Sequence, residues 1–474
     1  MPLDHSFVQH LPADFWRRQD PSPLKNPRLA VFNQALADDL GMDSAWWTGP
    51  EGLAVLAGQR NLTDAGPVAM KYGGHQFGGW NPELGDGRGL LLAEWIDAQA
   101  RRWDLHLKGS GPTPFSRMGD GRAVLRSSLR ELLAGEALHA LGVPTTRALA
   151  LVASDTPVQR ERRETAATLM RVADSHIRFG HVEWLAHTQR SHLLPVLLDY
   201  VIERHYPDCQ QADRPYAALF RQIVQRTARL MAAWQAWGFA HGVMNTDNFS
   251  ITGATLDFGP YAFMDRYQPQ LICNHSDHSG RYAWHLQPSV GLWNLNALAH
   301  GLAPVVSIED LRDALGCYES ELVSHYDQLM NRRLGLGQPA PGDRELVRDW
   351  LQLLNAEGMD YGGSFRWLSE QPMIDLLDGA GPAKRAWLLR YQARLADVAE
   401  DQRMADMQQV NPRYLLRNYL AELAIRAAEQ GDFEPALRLL SAVQNPFTRR
   451  PQDDAELAAE PPDWGRCLDI SCSS

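Results

Sequence analysis

The chain has 474 residues, 45% of them hydrophobic and 22% charged, a composition that suits a globular protein with a large core and, at this length, two or three domains. A formal net charge of −11 leaves no broad electrostatic case for nucleic acid, and no apolar run is long enough to span a bilayer. The five cysteines, Cys209, Cys273, Cys317, Cys467 and Cys472, are odd in number and scattered, which argues against a secreted disulfide framework. The first residues have neither a basic nor an apolar leader region, so the expectation is a cytoplasmic protein.

In chain order, Asn33 to Gly41 reads as a short helix ending at the glycine. Glycine is dense from 70 to 122, with strand patterns at Gly89–Ile96 and Trp103–Lys108. Residues 122–141 read as one helix, with Leu125, Leu129, Leu132 and Leu133 at helical spacing and Gly142-Val-Pro as its stop. Strand patterns follow at Thr145–Val152 and Thr165–Val172. From about 185 the chain is mainly helical. The interruption at 240–265 reads as a hairpin of two short strands around Gly253, with Asn248 and Asp257 at adjacent ends. From about 445 the chain reads as loop or extended tail. The expected organisation is an α+β fold in three parts: 1–184 rich in sheet, 185–444 helical, and 445–474 a tail.

The stretch His241-Gly-Val-Met-Asn-Thr-Asp247-Asn248, followed by Leu256-Asp257-Phe258-Gly259, carries the most chemistry. A phosphoryl-transfer loop needs a carboxylate for the attacking hydroxyl, and an amide and a second carboxylate for Mg²⁺. Asn248 and Asp257 offer the hard oxygens that Mg²⁺ prefers. Each tripeptide alone reads equally as a turn. The run from Gly73 to Gly89 has the composition of a phosphate cradle and, equally, of a hairpin with tight turns; Gly73-x4-Gly78 lacks the Lys-Ser/Thr of a Walker loop. Lys108 closes a strand, and the next helix offers Glu131 and Glu136 as partners, between which periodicity does not choose. Asp120 precedes that helix and reads as its cap. Arg171 and Arg178 follow a strand and suit either a polyphosphate clamp or a solvated surface. The spacing in Cys273-Asn-His275-Ser-Asp-His278 matches no common zinc site.

Together the loops resemble the metal and phosphate end of a protein-kinase active site. One departure stands out: kinases place Asp two residues after the His, and this chain has Val243. Longer motifs are similar to those of the selenoprotein O family: Lys71-Tyr-Gly-Gly-His-Gln-Phe-Gly, Leu84-Gly-Asp-Gly-Arg-Gly, His106-Leu-Lys-Gly-Ser-Gly-Pro-Thr-Pro-Phe-Ser-Arg, the Asp120 and His241 stretches, and Val410-Asn-Pro-Arg-Tyr-Leu-Leu-Arg-Asn-Tyr-Leu. The resemblance implies a two-lobed kinase-like fold that transfers AMP rather than phosphate, with ATP flipped so that its γ-phosphate is buried. It implies Asp247 as base, Asn248 and Asp257 as ligands of Mg²⁺ or Mn²⁺, and Lys108 paired with Glu131. It further implies Gly85, Gly87, Arg88, Asp120, Gly121, Arg171 and Arg178 around the nucleotide. Protein Ser, Thr or Tyr hydroxyls become the acceptors, redox-homeostasis proteins among them. A reversible disulfide of Cys472, with Cys273 as its favoured partner and Cys467 as the rival, is also expected. The competing readings are UMP transfer from UTP with Mn²⁺, ordinary phosphoryl transfer, and a nucleotide-binding pseudokinase.

Overall fold

A computed structural model describes residues 1–468. It is an α+β protein with a ten-stranded sheet in its first 173 residues and helices through most of the remainder. The strands are β1 (Leu3–Asp4), β2 (Trp16–Arg18), β3 (Arg28–Phe32), β4 (Val68–Gln76), β5 (Gly79–Gly85), β6 (Gly89–Ile96), β7 (Arg102–Lys108), β8 (Ala123–Val124), β9 (Arg147–Gln159) and β10 (Arg163–Ala173). Their main path is β2-β4-β6-β7-β10-β9-β3, with β1 on β6, β5 on β4 and β8 on β10. All of these pairings are antiparallel. The sheet is covered on both faces, which explains why β6 reads as an unbroken apolar run. Leu90 and Leu92 pack with Leu36, Trp47 and Leu56 of the N-terminal helices, while Leu91 shares the opposite core with Leu129 and Leu133.

That second core continues into the helical part through Leu198, Ile223, Trp234 and Leu295. A further core, built on Trp350, Phe365, Trp387 and Tyr391, holds the later helices together. No helix among the described residues is long and apolar enough to cross a membrane.

Several local expectations change. The helix after Asp120 spans Leu125–Ala140. The two residues before it form β8, so Val124 rather than Asp120 stands at the N-cap. Asn33 caps the Gln34–Asp39 helix by accepting the Leu36 amide. The 240–265 segment does not form two strands around Gly253. It makes a 3₁₀ turn at Thr246–Asn248 and a single bridge between Phe249 and Thr255. Asn248 donates to the Val243 carbonyl at 3.0 Å, and Ser250 Oγ accepts the Thr252 amide at 3.1 Å. Short polar side chains thus draw the backbone into turns in place of a ladder. The ribbon lies further out, where β11 (Phe239–Ala240) pairs with β12 (Ala262–Phe263). The tail is more regular than expected: it turns helical at Asp454–Leu457, where Arg413 grips Asp454 at 2.7 Å.

One contact fixes how the sheet meets the helices. The Phe179–His187 helix starts beneath β4, and a Cβ on Gly180 would lie 2.1 Å from the Gly73 carbonyl oxygen. Only glycine permits this approach.

Candidate active site

Between β4–β7 and the 241–259 loops lies a cleft of about 620 Å³. The β11–β12 ribbon sends both loops into it. His241 ties them together. Its ring is buried, stacks on Trp234 with centroids 5.1 Å apart and meets the Leu256 carbonyl at 3.0 Å through Nε2. Since a carbonyl only accepts, Nε2 carries the proton. The histidine therefore sets the position of Asp257 and need not touch substrate.

The cleft gathers Gly85, Gly87, Arg88, Lys108, Asp120, Gly121, Arg171, Arg178, Asp247, Asn248 and Asp257. Glu131 lies behind it, paired with Lys108 and Arg171. Arg171 also reaches Asp257 at 2.8 Å, and Arg178 pairs with the other oxygen of Asp257. Lys108, Glu131, Arg171, Asp257 and Arg178 thus form one alternating chain of charge, with the Asp257 side chain the most exposed member at 23%. The register explains the grouping: Lys108 on β7 faces Leu169 on β10, two residues before Arg171. Glu136, the other candidate partner for Lys108, is taken by Arg147 through two bonds of 2.8 and 2.7 Å.

The charges decide which groups ionise. Burial pushes Glu131 upward, but Arg171 and Lys108 outweigh it and hold it at about 2. Burial lowers Lys108 to about 8 against the pull of Glu131. Burial also opposes ionisation of Asp257, yet Arg178 and Arg171 keep its carboxyl well below the usual range. Asp247 behaves differently. Burial raises it to about 7, against Arg178 and a bond from Gln76. Two carboxylates in one cleft with such separated proton affinities suit two roles, one always anionic and the other able to exchange a proton.

Asn248 donates through Nδ2 to the Val243 carbonyl, leaving its amide oxygen as an acceptor. That oxygen and Asp257 are a small set of hard donors. Such sets fit Mg²⁺ or Mn²⁺ when phosphate oxygens and waters supply the remaining positions. Asp257 has φ of 61°, a left-handed conformation that an Asp adopts at some cost and that recurs at functional sites.

Not every glycine cradles a ligand. Gly73–Gly79 forms the tight end of the β4–β5 hairpin and packs on the Asn245–Asp247 loop. Gly121 lines the cleft, but a Cβ there would lie 2.1 Å from the Gly111 carbonyl, so the glycine serves the loop crossing. Asp120 is gripped by Arg160 through bonds of 2.8 and 2.9 Å. Sequence reasoning passed over Arg160, Gln76 and Asp86. Asp86 anchors the Gly85–Arg88 turn: its carboxylate takes the Met70 amide at 3.1 Å, and its carbonyl takes Thr113 Oγ1 at 2.7 Å. Cys472 lies outside the described residues, and with it the pairing with Cys273. The Cys273 sulfur sits against Gly242, where a Cβ would be 2.7 Å away.

A family model described as "Protein adenylyltransferase SelO" matches residues 4–444. Among curated proteins, "Protein nucleotidyltransferase YdiU" of Pseudoalteromonas atlantica is 50% identical, with all of both chains covered. Its namesake in Vibrio cholerae is 50% identical over 98% of this chain and 97% of its own. That of Pseudomonas fluorescens is 51% identical over 96% and 95%.

Proposed function

The chain belongs to the SelO family of protein adenylyltransferases and is a nucleotidyltransferase, and from that premise we propose that it moves AMP from ATP to Ser, Thr or Tyr hydroxyls of other proteins. Pyrophosphate leaves, and the framework is a two-lobed, kinase-like one, with 1–184 and 185–444 as its lobes and 445–474 as a tail. The observation that carries the reading is the cleft's charge. Seven Lys and Arg side chains line it against four Asp, in a protein whose net charge is −11. Fixed positive charge inside a low-dielectric cleft suits a polyphosphate and the charge that develops as one leaves.

Asp247 takes or orients the proton of the acceptor hydroxyl as its oxygen attacks the α-phosphorus. Lys108, Arg171 and Arg178 hold the phosphates that depart. Asn248 and Asp257 would hold Mg²⁺ or Mn²⁺, which when bound neutralises phosphate oxygens. Val243 stands where a kinase carries its Asp, and its side chain lies 3.7 Å from where a Cβ on Gly259 would be. An apolar group there offers no base to a γ-phosphoryl transfer. The test is intact mass of an acceptor protein after incubation with ATP and Mg²⁺, with UTP and Mn²⁺ as the parallel arm. A gain of one AMP supports the reading, while a gain of one phosphate overturns it.

Arg171→Ala and Arg178→Ala are each expected to weaken ATP binding by about 1.5–3 kcal/mol, the worth of one charge-assisted bond. AMP binding should change far less, because the lost charge serves the terminal phosphates. Calorimetric titration with both nucleotides checks this, and equal losses would sink the flipped orientation of ATP.

A redox control belongs to the same proposal. Cys273 shares a cavity of about 340 Å³ with Leu468 and abuts Gly242 of the catalytic loop. A reversible disulfide between Cys472 and Cys273 would hold the tail against that loop. In the cytoplasm, a reducing compartment, such a bond acts as a switch rather than a staple. Peptide mapping of oxidised protein is expected to find that pair rather than Cys472 with Cys467, and both thiols free after mild oxidation would remove the idea. Redox-homeostasis proteins are the acceptors that such a control favours.

A further inference from the structure

The β4–β5 hairpin ends on Phe77 and Gly78, with φ of 49° and 86°, the consecutive left-handed pair of a tight two-residue turn. Its tip reaches over the loop that carries Asp247, and three consecutive residues bond to three consecutive loop residues. The His75 amide donates to Thr246 Oγ1 at 2.7 Å. Gln76 Nε2 donates to Asp247 Oδ2 at 3.1 Å. The Phe77 amide donates to Asn245 Oδ1 at 3.1 Å. Tyr282 braces the same point, its hydroxyl donating to Asn245 Oδ1 at 2.6 Å.

The two oxygens of Asp247 are therefore inequivalent. Oδ1 is buried without a hydrogen-bond partner and faces Gly74, where a Cβ would lie 2.9 Å away. Oδ2 is the oxygen left to meet an acceptor, and Gln76 holds it. The Gln76 amide is itself oriented, since its oxygen accepts Asn81 Nδ2 at 3.4 Å. Gln76 and Asp247 both line the cleft.

We propose that Gln76 is a positioning residue for the transfer step, fixing the Asp247 carboxylate so that Oδ2 meets the acceptor hydroxyl. This rests on the reading of Asp247 as the base. In the step, the hydroxyl proton passes to Oδ2, the acceptor oxygen bonds to the α-phosphorus, and the bond from that phosphorus to the bridging oxygen breaks to release pyrophosphate.

The test compares Gln76→Met, which keeps the length and removes the donor, with Asn81→Ala, which frees the Gln76 amide to rotate. Asp247→Ala is run in parallel. Gln76→Met is expected to lower kcat roughly 10- to 100-fold, the range for losing one hydrogen bond to a charged group, with KM for ATP and the melting temperature unchanged. Asn81→Ala should show a smaller fall with the same split, and it serves if Gln76→Met folds poorly. Unchanged kcat in both variants, beside an inactive Asp247→Ala, overturns the role of Gln76 alone. A loss carried by KM for ATP also overturns it, because Gln76 would then be a nucleotide contact. Full activity of Asp247→Ala would overturn the base assignment instead.

Discussion

Asp257→Ala is expected to abolish transfer: removing a principal electrostatic contact from an active site costs roughly 10²- to 10³-fold by itself, and a proposed metal ligand goes with it. Asp257 accepts from both Arg171 and Arg178. Without it, Arg178 loses its ion-pair partner and Arg171 is left to share Glu131 with Lys108. Leaving buried cations unpaired costs about 3–5 kcal/mol, so the denaturant midpoint should fall as well. Metal-dependent nucleotide binding should be lost, since Asp257 is one of only two proposed protein ligands. Asp257→Asn separates these effects: it keeps an acceptor for one Arg and should recover stability without recovering transfer. Near-normal turnover by Asp257→Asn would show that the carboxylate's charge is not needed.

Asp247→Ala should lower kcat by roughly 10²- to 10⁴-fold, the usual worth of a positioned acid or base. Calorimetry should find ATP affinity little changed, because the side chain's hydrogen bond runs to Gln76 on the hairpin. The backbone carbonyl of Asp247, which takes Arg178 Nη1 at 2.8 Å, survives the substitution. Collapse of ATP affinity would place the carboxylate on the nucleotide's side of the cleft and send the search for a base elsewhere.

Much of the cleft's lining is legible in the sequence because its residues lie in compact motifs. The Lys108 strand and the Asn248 and Asp257 loops all meet at the cleft. The partner of Lys108 was not legible from periodicity, for a physical reason. The Leu125–Ala140 helix is buried from Ser127 to Leu138 all the way round, so it has no solvent face to distinguish Glu131 from Glu136. Both carboxylates are buried, and tertiary pairing alone separates them. The hairpin expected around Gly253 failed because local side-chain bonds competed with the ladder. Gln76 is not legible because the carboxylate it bonds lies 171 residues away, a separation that no local pattern records.

The meeting of Gly73 and Gly180 has a consequence for how the cleft adapts. At that seam, main chain rests on main chain, with no side chain between them whose rotamer could relax. A seam of this kind transmits displacement instead of absorbing it. The hairpin that overhangs Asp247 and the helix beneath it should therefore shift as one piece. The height of the hairpin over Asp247 is then set by main chain against main chain, and a larger residue at Gly180 would lift the tip and its bonds to the Asn245–Asp247 loop together.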